Sequence, residues 1–174
     1  MSTKTKPVIN LDELEATTIS DMRPGGSEQY IGAAMAEIAT HIGAQRLGYN
    51  LTIVPPGKRA FPAHNHYANE EMFFIIEGIG ELRYGSDHHP LRQGDVIACP
   101  PGDSTVAHQI INTSDNQTLR YLAVSTMQTP DLVEYPDSGK TAAAHYYDQD
   151  ETGCQKAVRI LNRTKDNLDY WEGE

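Results

Sequence analysis

The fold is decided by one stretch of the chain, residues 57–78, which reads GKRAFPAHNHYANEEMFFIIEG. Its second half contains a continuous apolar run, residues 72–76, that ends shortly before a glycine and predicts a short buried strand. Its first half places His64 and His66 one residue apart, and alternate side chains of an extended segment point to the same face. Both imidazoles are therefore predicted to point into one cavity, with Glu71 a few residues further along the chain.

The same texture of short apolar runs and turn signals continues on both sides of this stretch. Strands of this length, separated by Pro, Gly, Asn and Asp clusters about every ten residues, are typical of an all-β sandwich or barrel. The predicted strands are 47–54, 72–76, 82–84, 96–99, 106–111 and 119–126. We therefore predict one β domain, with residues 47–126 as its core.

Two arms flank this core, an N-terminal arm of residues 1–46 that we expect to pack on the barrel and a C-terminal extension of residues 127–174. Both are predicted to be short helical or irregular segments. Residues 28–46 are ambiguous, because apolar residues recur at helical spacing there while two glycines disfavour a helix. The segments 142–147 and 157–161 suit either a short helix or an edge strand.

Composition excludes several classes of function. The chain has 174 residues, 14 Lys+Arg and 24 Asp+Glu, which gives a formal charge of −10. A nucleic-acid or anionic-membrane surface needs a basic face, and none is visible. No run approaches the roughly 20 apolar residues of a membrane span, and the N-terminus lacks the apolar stretch of a secretory signal. Two cysteines give no disulfide framework, so the simplest expectation is a reducing, cytoplasmic setting.

Three histidines and one glutamate are the candidate site. His64 and His66 precede Glu71, and His108 stands at the start of a later predicted strand. Imidazole and carboxylate together suit borderline divalent metals, although a His-x-His pair on its own more often consists of exposed or hydrogen-bonded histidines. Glu70 is the rival of Glu71, but it is one residue away and faces the other side of a regular strand.

The spacing of these residues resembles two motifs of the cupin superfamily. Gly57, His64, His66, Glu71 and Gly78 resemble the first motif, and the stretch 94–112, GDVIACPPGDSTVAHQIIN, resembles the second. The gaps before His64 and before His108 are longer than usual in the family, which we expect to alter loops rather than the site. The resemblance covers the whole strand-rich region, and all four residues that match the family's metal ligands are present.

The resemblance implies a double-stranded β-helix, the jelly-roll barrel of the cupins, with a divalent metal inside it. It implies His64, His66, Glu71 and His108 as ligands and Fe, Mn, Ni, Co or Zn as the ion. Four protein ligands on a six-coordinate ion leave positions for water or substrate, which is typical of a catalytic rather than a structural metal. The single-domain pattern is similar to that of mannose-6-phosphate-isomerase-like cupins.

Three functions follow from that resemblance as expectations. The first is a metal-dependent enzyme acting on a small polar molecule, either a sugar or sugar-phosphate isomerase or an iron-dependent dioxygenase. A basic cavity would favour a phosphate, and an apolar or aromatic cavity would favour the oxygenase. The second is a non-catalytic ligand-binding or sensing module, and the third is a storage protein, which the intact ligand set disfavours. The family also commonly forms homodimers, and the arms are candidates for the partner's surface. We expect the tail around Trp171 to dock on its own barrel or on that of a partner.

Overall fold

The computed structural model describes residues 6–22, 25–149 and 155–174. Strands are the main secondary structure of the described chain, with short helices α1 (Ile19–Met22) and α2 (Ala39–Ile42) and single 3-10 turns elsewhere. The strands are β1 (Thr17–Thr18), β2 (Ala34–Glu37), β3 (Leu47–Val54), β4 (Asn65–His66), β5 (Glu71–Glu77), β6 (Ile79–Tyr84), β7 (Asp87–Arg92), β8 (Val96–Cys99), β9 (His108–Ile111), β10 (Leu119–Thr126), β11 (Asp131–Tyr135), β12 (Lys140–Gln149) and β13 (Gln155–Arg163). The 3-10 turns are Leu11–Glu13, Glu28–Tyr30, Ser104–Val106, Pro136–Ser138 and Thr164–Asp166.

These strands form three antiparallel sheets around one core. The first has the order β1-β2-β3-β10-β5-β8, the second β13-β12-β11-β4 and the third β7-β6-β9. The main core lies between the inner face of the first sheet and the third sheet. It includes Phe73, Ile75, Leu119 and Tyr121 from the first sheet and Leu82, Leu91 and Ile110 from the third. The predicted all-β jelly-roll architecture is confirmed.

Strand β5 shows why its sequence is apolar at consecutive positions rather than at alternate ones. Phe73 and Ile75 point inward and are buried. Ile76 points outward, where it packs on a second apolar cluster. Residues of the N-terminal arm, among them Ile9, Leu11 and Leu14, belong to that cluster. A strand that is covered on both faces reads as a continuous apolar run, so the arm explains the apolar residue at 76, whereas Phe74 on the same face stays 38% exposed.

The N-terminal arm also adds two strands, β1 and β2, to the first sheet. Residues 28–46, whose apolar spacing also fits a helix, contain the second of them. Strand β2 pairs with β3 from Ala34↔Ile53 to Glu37↔Asn50, and only the four residues of α2 are helical. Gly32 and Gly43 adopt positive φ on either side of this region and interrupt any longer helix. Pairing with a core strand then outweighs the helix propensity of the alanines.

The C-terminal extension forms strands rather than helices. Strands β11, β12 and β13 are consecutive antiparallel neighbours, and β11 continues the sheet through Val133↔His66 to β4. The extension therefore contacts the core directly beside one of the candidate site histidines. The boundaries expected for the arms and the core stay predictions. In the described part of the chain, no helix has the length and apolar character needed to cross a membrane.

Gly78 and Gly94 lie in turns that need positive φ, with values of 89° and 93°. Gly102, the glycine of the second motif that precedes His108, is not among the positive-φ glycines. Its constraint is space, because a Cβ atom there would lie 2.8 Å from Val106 Cγ2. Gly78 combines both constraints, since its Cβ would lie 2.5 Å from the Thr118 carbonyl oxygen.

A pair of glycine substitutions separates these two effects. Gly94 has the same backbone conformation as Gly78, but no atom lies within 4 Å of the position that a Cβ would occupy there. Gly94→Ala should therefore lose about 1–2 kcal/mol of unfolding free energy. Gly78→Ala should lose at least about 1 kcal/mol more, because the backbone must also move. Urea unfolding of both variants measures the difference, and equal losses would show that the contact with Thr118 is relieved without cost.

Candidate metal centre

Four elements bring the candidate residues together at one place inside the barrel. His64 pairs with His108 through two backbone hydrogen bonds, of 3.2 and 2.8 Å, which fixes the segment before β4 against the first residue of β9. His66 ends β4, and Glu71 begins β5. Because His64 and His66 are alternate residues of an extended segment, their rings lie on the same side, with centroids 5.2 Å apart.

The Glu71 carboxylate is the point on which the three imidazoles converge. Its Oε2 atom lies 2.9 Å from Nε2 of His108, 3.6 Å from Nε2 of His64 and 3.5 Å from Nε2 of His66. The donor atoms of His64, His66 and Glu71 all lie within 4.8 Å of one another. Ligand atoms bound to one ion at about 2.1 Å are separated by about 3 to 4 Å, so these atoms are close enough to share a metal.

The opposite nitrogens of the rings are held by hydrogen-bond acceptors. Nδ1 of His64 lies 2.9 Å from the Pro62 carbonyl oxygen, and Nδ1 of His66 lies 2.6 Å from Oδ2 of Asp131. A carbonyl or carboxylate oxygen only accepts, so Nδ1 carries the proton in both rings. In their neutral forms these two histidines therefore direct an unprotonated Nε2 towards Glu71, which is the form that binds a metal.

His66 provides the clearest test of whether a metal fits here. Its Nε2 atom is buried and makes no hydrogen bond with any described residue. A buried nitrogen without a partner carries a desolvation penalty that a native protein normally avoids. A metal ion bound to this nitrogen removes the penalty, and the neighbouring donor set of imidazole and carboxylate is one that Fe, Mn, Ni, Co and Zn accept. The residues present therefore fit the group.

The electrostatics of the site favour a bound cation. Burial alone lowers the pKa of His66, but its hydrogen bond with Asp131 and the nearby Glu71 carboxylate outweigh burial and raise this pKa to about 9. Burial alone raises the pKa of Glu71, but the imidazoles of His108, His64 and His66 around its carboxylate hold this pKa well below its ordinary value. Both pKa shifts have the same cause. The carboxylates of Glu71 and Asp131 lie on either side of the His66 ring and stabilise positive charge between them.

Glu71, and not Glu70, reaches the histidines. The Glu70 side chain is exposed, and its backbone N–H donates to Thr126 Oγ1 at 3.0 Å. The two residues point to opposite faces because side chains alternate along an extended chain. The role of His64, His66, Glu71 and His108 as ligands stays a prediction, but the structure brings all four together.

The surroundings of the site are largely aromatic. The Phe73 ring lies 5.6 Å from that of His108, and the Tyr135 ring stacks at 6.0 Å on that of His64. Cys99 pairs with Glu71 across β5 and β8. It is 1% exposed, and burial together with the Glu71 charge raises its pKa to about 12. Its thiol is therefore protonated at neutral pH.

Several polar residues outside the site have structural roles. Arg83 forms a two-pronged ion pair with Asp137, with N–O distances of 2.7 and 2.8 Å. His88 contacts Glu81 on the surface. Asn112 is fully buried and bonds to the backbone around 54, 114 and 117. Its side chain therefore stabilises the turn that follows β9.

Two residues near the site were missed by sequence reasoning, Asp131 and Tyr135. Both lie on β11, beyond the strands that the motif spacing covers. No spacing rule connects Asp131 to His66, because the two residues are 65 positions apart. The only sequence signal is a short apolar segment after Pro130, which is too brief to predict a strand that closes the site.

Comparison with known proteins defines the class to which this fold and site belong. Residues 50–125 match the cupin domain family. The oxalate-binding protein of Thermotoga maritima is 32% identical over 124 residues, which span 71% of this chain and 97% of that protein. The chain therefore belongs to the cupin family, as its motifs predict.

Solved structures share the fold of this chain. A sugar phosphate isomerase of the cupin superfamily from Silicibacter pomeroyi superimposes with a TM-score of 0.73 at 24% identity. The superposition covers 94% of this chain and 98% of that one. A predicted oxalate decarboxylase from Thermotoga maritima superimposes with a TM-score of 0.56 at 27% identity, covering 70% of this chain and 99% of that one. The first likeness extends through both arms, so the arms belong to a fold that another cupin shares.

Proposed function

We propose that this cupin is a metal-dependent enzyme that acts on a small, polar, oxygen-rich molecule. Its divalent ion is held by His64, His66, Glu71 and His108. The observation that carries the proposal is the buried Nε2 of His66, which has no hydrogen-bond partner in the described chain and lies 3.5 Å from the Glu71 carboxylate.

A bound divalent ion supplies Lewis acidity, which polarises a carbonyl or activates water. The residues of this chain supply the binding and orientation. His64 and His66 present Nε2 because their Nδ1 atoms are held, and Glu71 contributes one negative charge. Three neutral imidazoles, the Glu71 carboxylate and a divalent ion sum to +1, and the Asp131 carboxylate against His66 brings the loaded site to zero. An anionic oxygen ligand would therefore be held by direct bonds to the ion rather than by an excess of positive charge.

The aromatic surroundings support a carboxylate more than a phosphate as that ligand. Phe73 and Tyr135 contact the site histidines. The one cation placed against these rings by a described contact is Lys140, whose Nζ lies 5.4 Å from the Tyr135 ring centroid. A phosphate site usually offers several donors and cations. The 32% identity with an oxalate-binding protein supports the same ligand class.

Two reactions fit a metal-bound carboxylate or carbonyl compound. An isomerase would move a proton next to a carbonyl bound to the ion and would need a base beside it. An iron-dependent dioxygenase would need open positions on the ion for substrate and oxygen. An apolar or aromatic cavity favours this reaction, and the surroundings of the site are aromatic. Ligand binding without turnover is the third reading, and the oxalate-binding relative supports it.

Elemental analysis of untagged protein purified from its own source tests the proposal. We expect about one equivalent of a transition metal per chain, with iron favouring oxygen chemistry and zinc favouring isomerase or hydrolytic chemistry. Calorimetric titration of the loaded protein with oxalate and with a sugar phosphate then distinguishes the ligand classes. A protein that contains no metal and takes up none of Fe, Mn, Ni, Co or Zn on dialysis would refute the proposal.

The homodimer also stays a proposal, together with the cytoplasmic location. Trp171 is 72% exposed, so it does not dock on its own barrel. Strand β13 is the last strand of its sheet and exposes Val158, Ile160 and Leu161. Apolar surface of this kind favours a protein partner. Light scattering should give about twice the 19.3 kDa chain mass, and a mass near that of one chain would exclude the dimer.

A further inference from the structure

Asp131 is the residue outside the cupin motifs that makes the closest contact with the candidate metal centre. Its Oδ2 atom lies 2.6 Å from Nδ1 of His66, and the residue is 8% exposed. It begins β11, which lies beyond the segment 50–125 that matches the cupin family. The contact therefore joins the C-terminal extension to a histidine of the core.

Several backbone contacts hold Asp131 in place. Strand β11 pairs with β4 through Val133↔His66 and Glu134↔Asn65, and the Tyr67 N–H donates to the Leu132 carbonyl at 2.9 Å. The second carboxylate oxygen, Oδ1, accepts from the Ala68 N–H at 3.2 Å. Both oxygens are thus engaged, and the carboxylate has a fixed orientation towards the His66 ring.

We propose that Asp131 is a positioning residue that fixes the ring orientation and the Nδ1–H tautomer of His66, so that Nε2 is presented to the metal. The inference rests on the proposed metal site. A carboxylate that accepts from the outer nitrogen of a metal-binding histidine also increases the basicity of the inner nitrogen. The geometry required for this is present, because Nδ1 of His66 faces Asp131 while Nε2 faces Glu71.

This arrangement gives the C-terminal extension a role in the metal site. His64 has only a backbone carbonyl at Nδ1, and Nδ1 of His108 lies 3.4 Å from the Val106 carbonyl oxygen. His66 is the one of the three whose outer nitrogen contacts a charged group. The core thus supplies the four candidate ligands, and the extension supplies the charge that orients one of them.

The alternative is a purely structural role, in which Asp131 only ties the residues after His66 to β11 through the Ala68 N–H. Such a role affects stability but leaves the tautomer and the affinity of the folded site unchanged. Metal affinity and the protonation of His66 therefore distinguish the two roles, whereas a melting temperature alone does not.

The experiment compares Asp131→Asn, Asp131→Ala and the control Asp137→Asn in the full chain. Asp137 also lies in the C-terminal extension and loses a comparable contact, its ion pair with Arg83, but it does not touch the site histidines. Zinc and cobalt affinities are measured by competition with a chelator, and circular dichroism monitors the fold. We expect both Asp131 variants to bind metal about 10–100-fold more weakly, and Asp137→Asn to bind within twofold of wild type.

Nitrogen-15 NMR of the zinc-loaded wild type supplies a second readout that does not depend on whether a variant folds. We expect a proton on Nδ1 of His66, shifted downfield by its hydrogen bond to Asp131. Where Asp131→Asn folds, we also expect a changed visible spectrum of its cobalt-loaded form. Unchanged affinity in the folded Asp131 variants, or an unprotonated Nδ1 of His66 in wild type, overturns the inference. Wild-type protein that binds no metal instead refutes the proposed function.

Discussion

A variant in which His64 and His66 are both replaced by alanine is expected to keep its β-fold and to lose stoichiometric metal. The two rings supply two of the Nε2 atoms that lie near Glu71, at 3.6 and 3.5 Å. Without them, Glu71 and His108 remain, and two ligands do not hold a transition metal against buffer and water. The measurement is metal content after dialysis, and we expect it to fall from about one equivalent to near zero.

The matched control replaces two other histidines, His88 and His89, with alanine. Both lie on β7 and are exposed, and His88 contacts only the surface residue Glu81 among the ion pairs described. The control removes the same number of imidazoles, so it separates loss of the site from loss of general histidine-dependent metal uptake. Full metal content in the His64/His66 double variant would contradict the assignment of the ligands.

The candidate site was predictable because its signal is local and periodic. His64 and His66 share a face in any extended segment, and Glu71 follows within a few residues. The longer gap before His108 does not disturb the site, because the residues Ser104–Val106 form a 3-10 turn within it. Asp103 caps this turn by accepting from the Thr105 N–H. The additional residues therefore form a loop with this turn, and His108 remains the first residue of β9.

The arms were less predictable because their structure depends on what they pair with. The apolar spacing of residues 31–42 fits a helix locally, yet β3 offers unpaired backbone groups at the edge of the sheet, and β2 satisfies them. The segments 142–147 and 157–161 are strands because they pair with each other. Backbone hydrogen bonding to a partner strand leaves no periodic signal in the side chains of a segment. The Asp131–His66 contact is the extreme example, since it depends on the arrangement of β11 beside β4.

The pair Glu71→Gln and Glu70→Gln tests the candidate site at the resolution of a single residue. The two residues are neighbours and undergo the same chemical change, which keeps side-chain size and removes the charge. Glu71 Oε2 lies 2.9 Å from Nε2 of His108, whereas the Glu70 side chain is exposed on the other face. We therefore expect Glu71→Gln to weaken metal binding at least about tenfold, since even residues behind the ligands contribute that much.

Glu70→Gln should leave the metal affinity within twofold of wild type, because its contact with Thr126 is made by the backbone N–H and survives the substitution. Chelator competition on both variants in parallel gives the comparison directly. The opposite result, weak binding in Glu70→Gln with normal binding in Glu71→Gln, would mean that β5 is shifted by one residue, since such a shift exchanges the two faces of a strand. It would also turn Phe73 and Ile75 away from the core, whereas both are buried in the structure, which argues against that shift and in favour of the site described here.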